Sequence, residues 1–201
     1  MKIFGDAVIL CGGKSTRMGF DKSLLQIDGE YVINIMAGKL CQIFDNVSLC
    51  ANGHDKFERF GLPIIQDIYN EGIGPIAAIH AALKQAKSKY IFVVAVDMPL
   101  INLAYILHMM HVLEHTSPPP LAFAPLVDGF TEGTHAFYSI EALSAIEREI
   151  EAGNFALHRL LGKLNARHIS EKASRGFDKD LDMFTNLNYP QDLEGMGGCH
   201  D

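Results

Sequence analysis

The chain contains no tryptophan, only four cysteines and no C-x-x-C pair. Cys11, Cys41, Cys50 and Cys199 lie far apart, which argues against a disulfide scaffold or a thiolate metal cluster and reads as reduced thiols in a cytoplasmic protein. Positive charge is scarce: 17 basic residues face 24 acidic ones, a formal net charge of −7. A protein that grips nucleic acid regardless of sequence draws its affinity from many cations, so nucleic acid is not an expected partner. Long apolar runs are missing as well. The longest central one, Ile91 to Val96, is far too short to cross a bilayer, and no membrane is expected as a partner. The opening M-K-I-F-G-D-A-V-I-L has no sustained apolar region and no small-residue cleavage site, so it does not read as a signal peptide.

What is present suits one domain with its own core. At 201 residues and 48% hydrophobic content, folding buries roughly 70% of the unfolded surface without help from disulfides or a structural metal. Continuous apolar runs occur at Ala7–Leu10, Val47–Ala51, Pro63–Ile65 and Tyr90–Val96. Continuous rather than alternating apolarity predicts strands buried on both faces, as in a parallel sheet. Between them, helical spacing predicts helices over Tyr31–Ile43, Pro75–Ala86 and Asn102–Glu114, with Pro75 in a first turn and Asn102 as a cap. Strands alternating with helices imply a doubly wound α/β sheet. After the extended link Ser117-Pro118-Pro119-Pro120, strands are expected at Leu121–Pro125 and His135–Ser139. Helices are expected at Glu141–Glu151 and Phe155–Leu164, broken at Gly153-Asn154.

The chemistry concentrates after the first strand, in L-C-G-G-K-S-T-R-M-G-F-D-K, Leu10 to Lys22. Adjacent glycines allow close backbone approach to a ligand, and their amides can face phosphate oxygens. Lys14, Arg17 and Lys22 invert the charge locally in an acidic chain, which suits a polyphosphate. The G-K-S-T string is not a P-loop, because the first glycine of that motif would fall on Val8, inside the strand. No G-x-G-x-x-G is present either, which weakens a dinucleotide site.

Two aspartates close apolar runs: Asp67 ends P-I-I-Q-D and Asp97 ends F-V-V-A-V-D. A carboxylate at the carboxyl edge of such a sheet lies where open α/β folds bind ligands. Mg²⁺ takes one or two protein carboxylates and completes its shell with water and phosphate oxygens, a task that suits Asp97. Gly72-Ile73-Gly74-Pro75 then introduces a helix whose free amides can point at an anion. His108, His111 and His115 have helical spacing, but without an E-x-x-H pattern they read as a half-exposed helix face. His158, Arg159 and Lys163 read mainly as a solvated basic face.

The first segment resembles the L-x-G-G-x-x-x-R-M-G-x-D-K signature of the molybdenum cofactor guanylyltransferases, the MobA family of nucleotidyltransferases. Further similarities follow in order: Asp67 with G-I-G-P-I-A-A, V-D-M-P-L-I around Asp97, and F-T-N-L-N-Y-P-Q-D-L from Phe184 to Leu193, where Tyr189 replaces the usual threonine. Two other departures stand out: Cys50 aligns with a common asparagine, and Gly133-Thr134 replaces a His/Gln-Pro pair.

The resemblance implies a three-layer, Rossmann-like GT-A-type fold over residues 1–201. Residues 1–116 would form the nucleotide part, 117–194 the acceptor side and 195–201 a flexible tail. It also implies transfer of GMP from GTP to molybdopterin cofactor, with release of diphosphate, Mg²⁺ as cofactor and cofactor-accepting proteins as recipients. Carried over by position, Leu10, Cys11 and Gly12 would contact GTP together with Lys22, Asp67 and Asp97, and Asp97 would also hold the metal. Gly13 adds a backbone amide, and Arg17 and Lys22 join Asp97 as catalytic candidates that neutralise phosphate charge. Gly12-Gly13 matches the guanylyl form, whereas related cytidylyltransferases tend to read L-A-A-G. Cytidylyl transfer, nucleotidyl transfer to another phosphorylated metabolite, and a silent nucleotide-binding carrier stay open as alternatives.

Overall fold

The computed structural model describes residues 1–12, 24–51, 55–66, 69 and 73–187; the expected tail at 195–201 lies outside them. The chain starts on β1 (Lys2–Leu10), buried from Gly5 onward. A small hairpin of β2 (Gln26–Ile27) and β3 (Glu30–Tyr31) turns through Asp28-Gly29, both at positive φ. There follow α1 (Val32–Leu40), β4 (Asn46–Cys50), β5 (Ile64–Ile65), α2 (Pro75–Gln85), β6 (Ser88–Ala95) and α3 (Leu103–Glu114). The Asn102 side chain accepts a bond from the Tyr105 amide at 3.0 Å and caps α3. Pro75 opens α2 directly after Gly74, whose φ of 78° and ψ of −159° favour a residue without Cβ.

The second half runs β7 (Ala122–Val127), β8 (Phe130–Thr131), β9 (His135–Ser139), α4 (Leu143–Glu151), α5 (Leu157–Lys163), β10 (Arg167–Ile169) and α6 (Glu171–Ser174). The helix expected from Glu141 starts at Leu143, because Ile140–Ala142 forms a tighter 3₁₀ turn under the Ser139 cap. β7 matches the strand expected at Leu121–Pro125, and β8 adds an unexpected partner to it, although Asp128-Gly129 at the tip, both at positive φ, is a strong hairpin signal. β10 and α6 were also missed: three and four residues are too few to display a period.

The large sheet has the order β10-β7-β9-β6-β1-β4-β5, with β8 beside β7. β1 pairs in parallel with both β4 and β6, and β4 with β5, as the continuous apolar runs predict. β9 runs antiparallel to both β6 and β7, and the short β8 antiparallel to β7, so the doubly wound arrangement carries a reversed strand within it and another at its side. The reason lies in the connection: β7 leads to β9 through a hairpin, and a chain that short cannot make a parallel crossover.

Two cores lie on opposite faces and sort the strand residues by parity. Ala7 and Ile9 of β1, with Phe92 and Val94 of β6, pack on α1 and α3. Val8 and Leu10, with Ile91 and Val93, pack on α2, α4 and α5. Alternate side chains point to opposite faces of a strand, so burial on both makes these segments apolar throughout. The amino end of the sheet is locked by buried Asp6. Its Oδ2 accepts from the Lys87 and Ser88 backbone amides and the Ser88 hydroxyl, each at 2.7 Å, and its Oδ1 from Nδ2 of the Asn46 side chain at 2.9 Å.

Candidate active site

The carboxyl ends of four parallel strands finish in one row. Leu10 stands opposite Cys50 and Ala95, and Cys50 opposite Ile65. Single hydrogen bonds extend the row past the strands: Cys11 N to Cys50 O at 2.8 Å, Val96 N to Leu10 O at 3.1 Å and Ala51 N to Ile65 O at 3.1 Å. These rungs hold the start of the glycine segment beside the exit of β6. Leu10 and Cys11 are buried there and Gly12 is exposed. A Cβ placed on Gly12 meets no atom within 4 Å among the described residues, so internal packing does not demand this glycine. Room for a ligand beside the backbone is a use that remains.

Asp97 is half-buried two residues beyond the end of β6. Its carbonyl accepts a 2.7 Å bond from the Leu187 amide, which draws the Phe184–Leu187 part of the last motif to the same edge. Segments separated by more than 80 residues thus converge beside Asp97. Among the described residues no three His, Cys, Asp or Glu side chains form a metal cage. A single carboxylate donor fits Mg²⁺, which draws most of its ligands from water and phosphate, and does not fit a closed zinc site. Of the residues expected at the site, Leu10, Cys11, Gly12 and Asp97 share this edge, whereas Gly13, Arg17, Lys22 and Asp67 lie outside the described residues, as does Lys14. Val8 is buried within β1, as the rejection of a P-loop requires.

Sequence reading did not single out what surrounds the edge. Tyr69, two residues past Asp67, packs its ring 5.0 Å from that of His80, a fully buried residue of α2. His80 Nε2 sits 3.1 Å from Glu147 Oε1 on α4, and Lys84 Nζ lies 3.5 Å from the same oxygen. The His80 hydrogen bond, aided by Lys84, holds the Glu147 carboxyl below its usual pKa. On the β9 side, Glu132 Oε1 accepts from the Thr134 amide at 2.9 Å and its hydroxyl at 2.7 Å. The Gly133 departure has a packing cause. A Cβ there would stand 2.8 Å from methyls of both Leu157 and Leu161 on α5. The buried Cys50 thiol donates to the Ala78 carbonyl at 3.6 Å. His158, Arg159 and Lys163 are exposed on α5, consistent with a solvated face. His108 packs on Phe177, and His111 and His115 are exposed at the end of α3.

Comparison with known proteins adds the lineage. The family model described as "MobA-like NTP transferase domain" matches residues 7–169. The "Molybdenum cofactor guanylyltransferase" of Syntrophotalea carbinolica is 39% identical, over 95% of this chain and 90% of its own length. The "Probable molybdenum cofactor guanylyltransferase" of Peptoclostridium acidaminophilum is also 39% identical, over 96% of this chain and 88% of its own. The crystal structure of the molybdopterin-guanine dinucleotide biosynthesis protein A of Archaeoglobus fulgidus superposes with a TM-score of 0.81. It is 28% identical and covers 94% of this chain and 95% of that one. With the motif segments converging on one sheet edge and this likeness running through nearly the whole sequence, the chain belongs to the MobA-like NTP transferase family.

Proposed function

We propose that the chain transfers GMP from GTP to the terminal phosphate of molybdopterin cofactor, producing the guanine dinucleotide form and diphosphate. The observation that carries this reading is the 39% identity to molybdenum cofactor guanylyltransferases along almost the entire chain. In the reaction, an acceptor phosphate oxygen attacks the α-phosphorus of GTP in line. The bond from that phosphorus to the oxygen bridging to the β-phosphate breaks, and diphosphate leaves with the electron pair. Such transfers are accelerated by positioning and charge stabilisation and need no protein nucleophile.

The roles divide along the sheet edge. Leu10, Cys11 and Gly12 form the floor under GTP, and the Gly12 and Gly13 amides receive phosphate oxygens without side-chain bulk. Asp67 binds the nucleotide, and Arg17 and Lys22 offset the charge of two polyanions brought together. Asp97 would hold Mg²⁺, which when bound supplies Lewis-acid stabilisation of charge on phosphate oxygens. Residues 1–116 serve the nucleotide and 117–194 the acceptor, in a cytoplasmic enzyme that passes its product to cofactor-accepting proteins. Base choice follows from Gly12-Gly13 in the position where cytidylyl relatives tend to carry L-A-A-G.

The test is turnover of GTP, CTP, ATP and UTP with molybdopterin, in Mg²⁺ and in EDTA. Diphosphate release and the dinucleotide mass are read together. GTP alone should give product, and only with the metal. Turnover of CTP in place of GTP would refute the guanylyl assignment. GTP binding without any diphosphate release would make the protein a carrier.

A further inference from the structure

The acceptor must reach from the α-phosphorus near Asp97 to a recognition surface for its other end, and the strand order restricts where that surface lies. The expected nucleotide segments follow β1 and β5, on one side of β6. The opposite side of β6 is occupied by β9 and then β7, with β8 beside it. The Ala95 amide donates to the Thr134 carbonyl at 2.9 Å, so the chain just before β9 lies one strand spacing from the residues leading to Asp97. The Thr134 hydroxyl is also 3.9 Å from Met98 Sδ, next to Asp97 in sequence.

Glu132 stands at this place with its carboxylate held in position. Both polar groups of Thr134 that bond it converge on Oε1, and the Glu132 amide donates to the Pro125 carbonyl at 2.9 Å, fixing the backbone as well. Among the described residues no hydrogen bond engages Oε2, and the residue is only half-buried. A carboxylate is acceptor-only, with two lone pairs on each oxygen. Thr134 takes both of Oε1 and leaves the two of Oε2. That one oxygen can accept from both donors of a flat edge that presents two adjacent N–H groups. The 2-amino-4-oxopyrimidine ring of a pterin has that edge in its 2-amino group and N3–H.

We propose that Glu132 is the specificity residue for the acceptor, accepting hydrogen bonds from the 2-amino and N3–H edge of its pterin ring. This rests on the guanylyltransferase reading for the identity of the acceptor. Guanine of GTP carries the same donor pair. Glu132 lies on the β9 side of Asp97, away from the β1 and β5 segments, and this assigns it to the pterin and not to the base. Thr134 is the positioning residue: it takes up Oε1 and leaves Oε2 for the ligand. A site built to receive donors disfavours an analogue that lacks them, because docking the analogue removes water from the acceptor without replacing its hydrogen bonds.

Glu132→Gln tests this sharply. Its amide oxygen can still accept from Thr134, so the fold is retained, but the opposite face now offers N–H groups to a ligand edge that also offers N–H groups. Pterin and lumazine, its 2-oxo analogue, are titrated by their fluorescence into wild type, Glu132→Gln and Glu132→Ala, each with GTP and Mg²⁺ present. GTP affinity, GMP transfer to molybdopterin and thermal midpoint are measured alongside. The wild type should prefer pterin to lumazine by about tenfold or more. Glu132→Gln should weaken pterin by about 10–100-fold while sparing or improving lumazine, with the acceptor KM rising and GTP affinity unchanged. Glu132→Ala should lose pterin without gaining lumazine. An unchanged pterin-to-lumazine ratio in Glu132→Gln overturns the assignment, and so does a loss of GTP affinity with pterin unaffected, which would give Glu132 to guanine. Failure of the wild type to transfer GMP while Glu132 still governs the ratio would refute the catalytic reading and leave the pterin contact standing.

Discussion

Replacing His135 by leucine should flatten the acid limb of this protein's stability. His135 is fully buried at the start of β9, and neither ring nitrogen has a hydrogen-bond partner among the described residues. Its surroundings are aromatic: Phe92 at 5.1 Å, Phe184 at 5.2 Å and Tyr105 at 6.0 Å between ring centroids. Burial among these rings lowers its pKa from 6.5 to about 3, so the folded protein accommodates only the neutral imidazole. The unfolded chain takes up a proton once the pH drops below about 6.5, while the folded chain does not until about 3. Stability is therefore complete above the unfolded value, falls through this window and levels off below it. Each pH unit within the window costs about 1.4 kcal/mol, which makes the loss at pH 5 about 2 kcal/mol relative to neutral pH. That is a large share of an ordinary domain's stability. Urea unfolding at pH 7.5 and pH 5.0, followed by circular dichroism, measures it. The wild type should lose about 2 kcal/mol more than His135→Leu between the two conditions. Carboxylates held low in the fold, such as Glu147 and Glu171, also lose stability on acidification, but they do so equally in both proteins and cancel. Equal losses in wild type and variant would refute the argument.

Asp97→Asn should reduce GMP transfer by about 10²–10³ while leaving the thermal midpoint nearly unchanged, since one electrostatic contact to the transition state is removed; retained turnover would remove Asp97 from the mechanism. Asp6→Ala should do the opposite, lowering stability by about 3 kcal/mol because the Lys87 and Ser88 amides and the Ser88 hydroxyl lose their common acceptor. Chemical denaturation reads that cost, and a change below about 1 kcal/mol would show that water takes the place of the carboxylate. Gly133→Ala should cost about 1–3 kcal/mol through overpacking against Leu157 and Leu161. Adding Leu157→Ala should recover part of it, and a double variant no better than the single one would count against the contact.

The order of elements was legible because burial on both faces of a strand leaves a mark in local composition. Ala7–Leu10 and Tyr90–Val96 are apolar without alternation, and both are central strands. Asn102 and Pro75 marked their helix starts through local hydrogen bonding and backbone geometry, which depend on near neighbours alone. The Asp28-Gly29 and Asp128-Gly129 turns were equally local and could have been read from the same positive-φ preference. β10 and the reversal of β9 left no such mark. A three-residue strand has no period, and strand direction depends on which distant segment the chain meets.

The site divides in the same way. The sequence by itself determined a glycine-rich, locally cationic segment after the first strand, and an aspartate at the exit of a buried strand. Both are consequences of residue type and short-range order. Only the tertiary structure decided that Leu10, Asp97 and Leu187 meet at one edge, through the pairing of β1 with β6 and a single 2.7 Å bond from the far end of the chain. It also gave Asp6, just before the first apolar run, a task different from that of Asp97. Asp6 is spent on four hydrogen bonds at the amino end of the sheet, while Asp97 stands at the carboxyl end beside the glycine segment. Glu132 belongs to no motif, and what distinguishes it is a neighbour on the β6 exit and two bonds from Thr134. Chemical identity is written residue by residue, but proximity comes from sheet register, and register is set by the burial of whole faces at once.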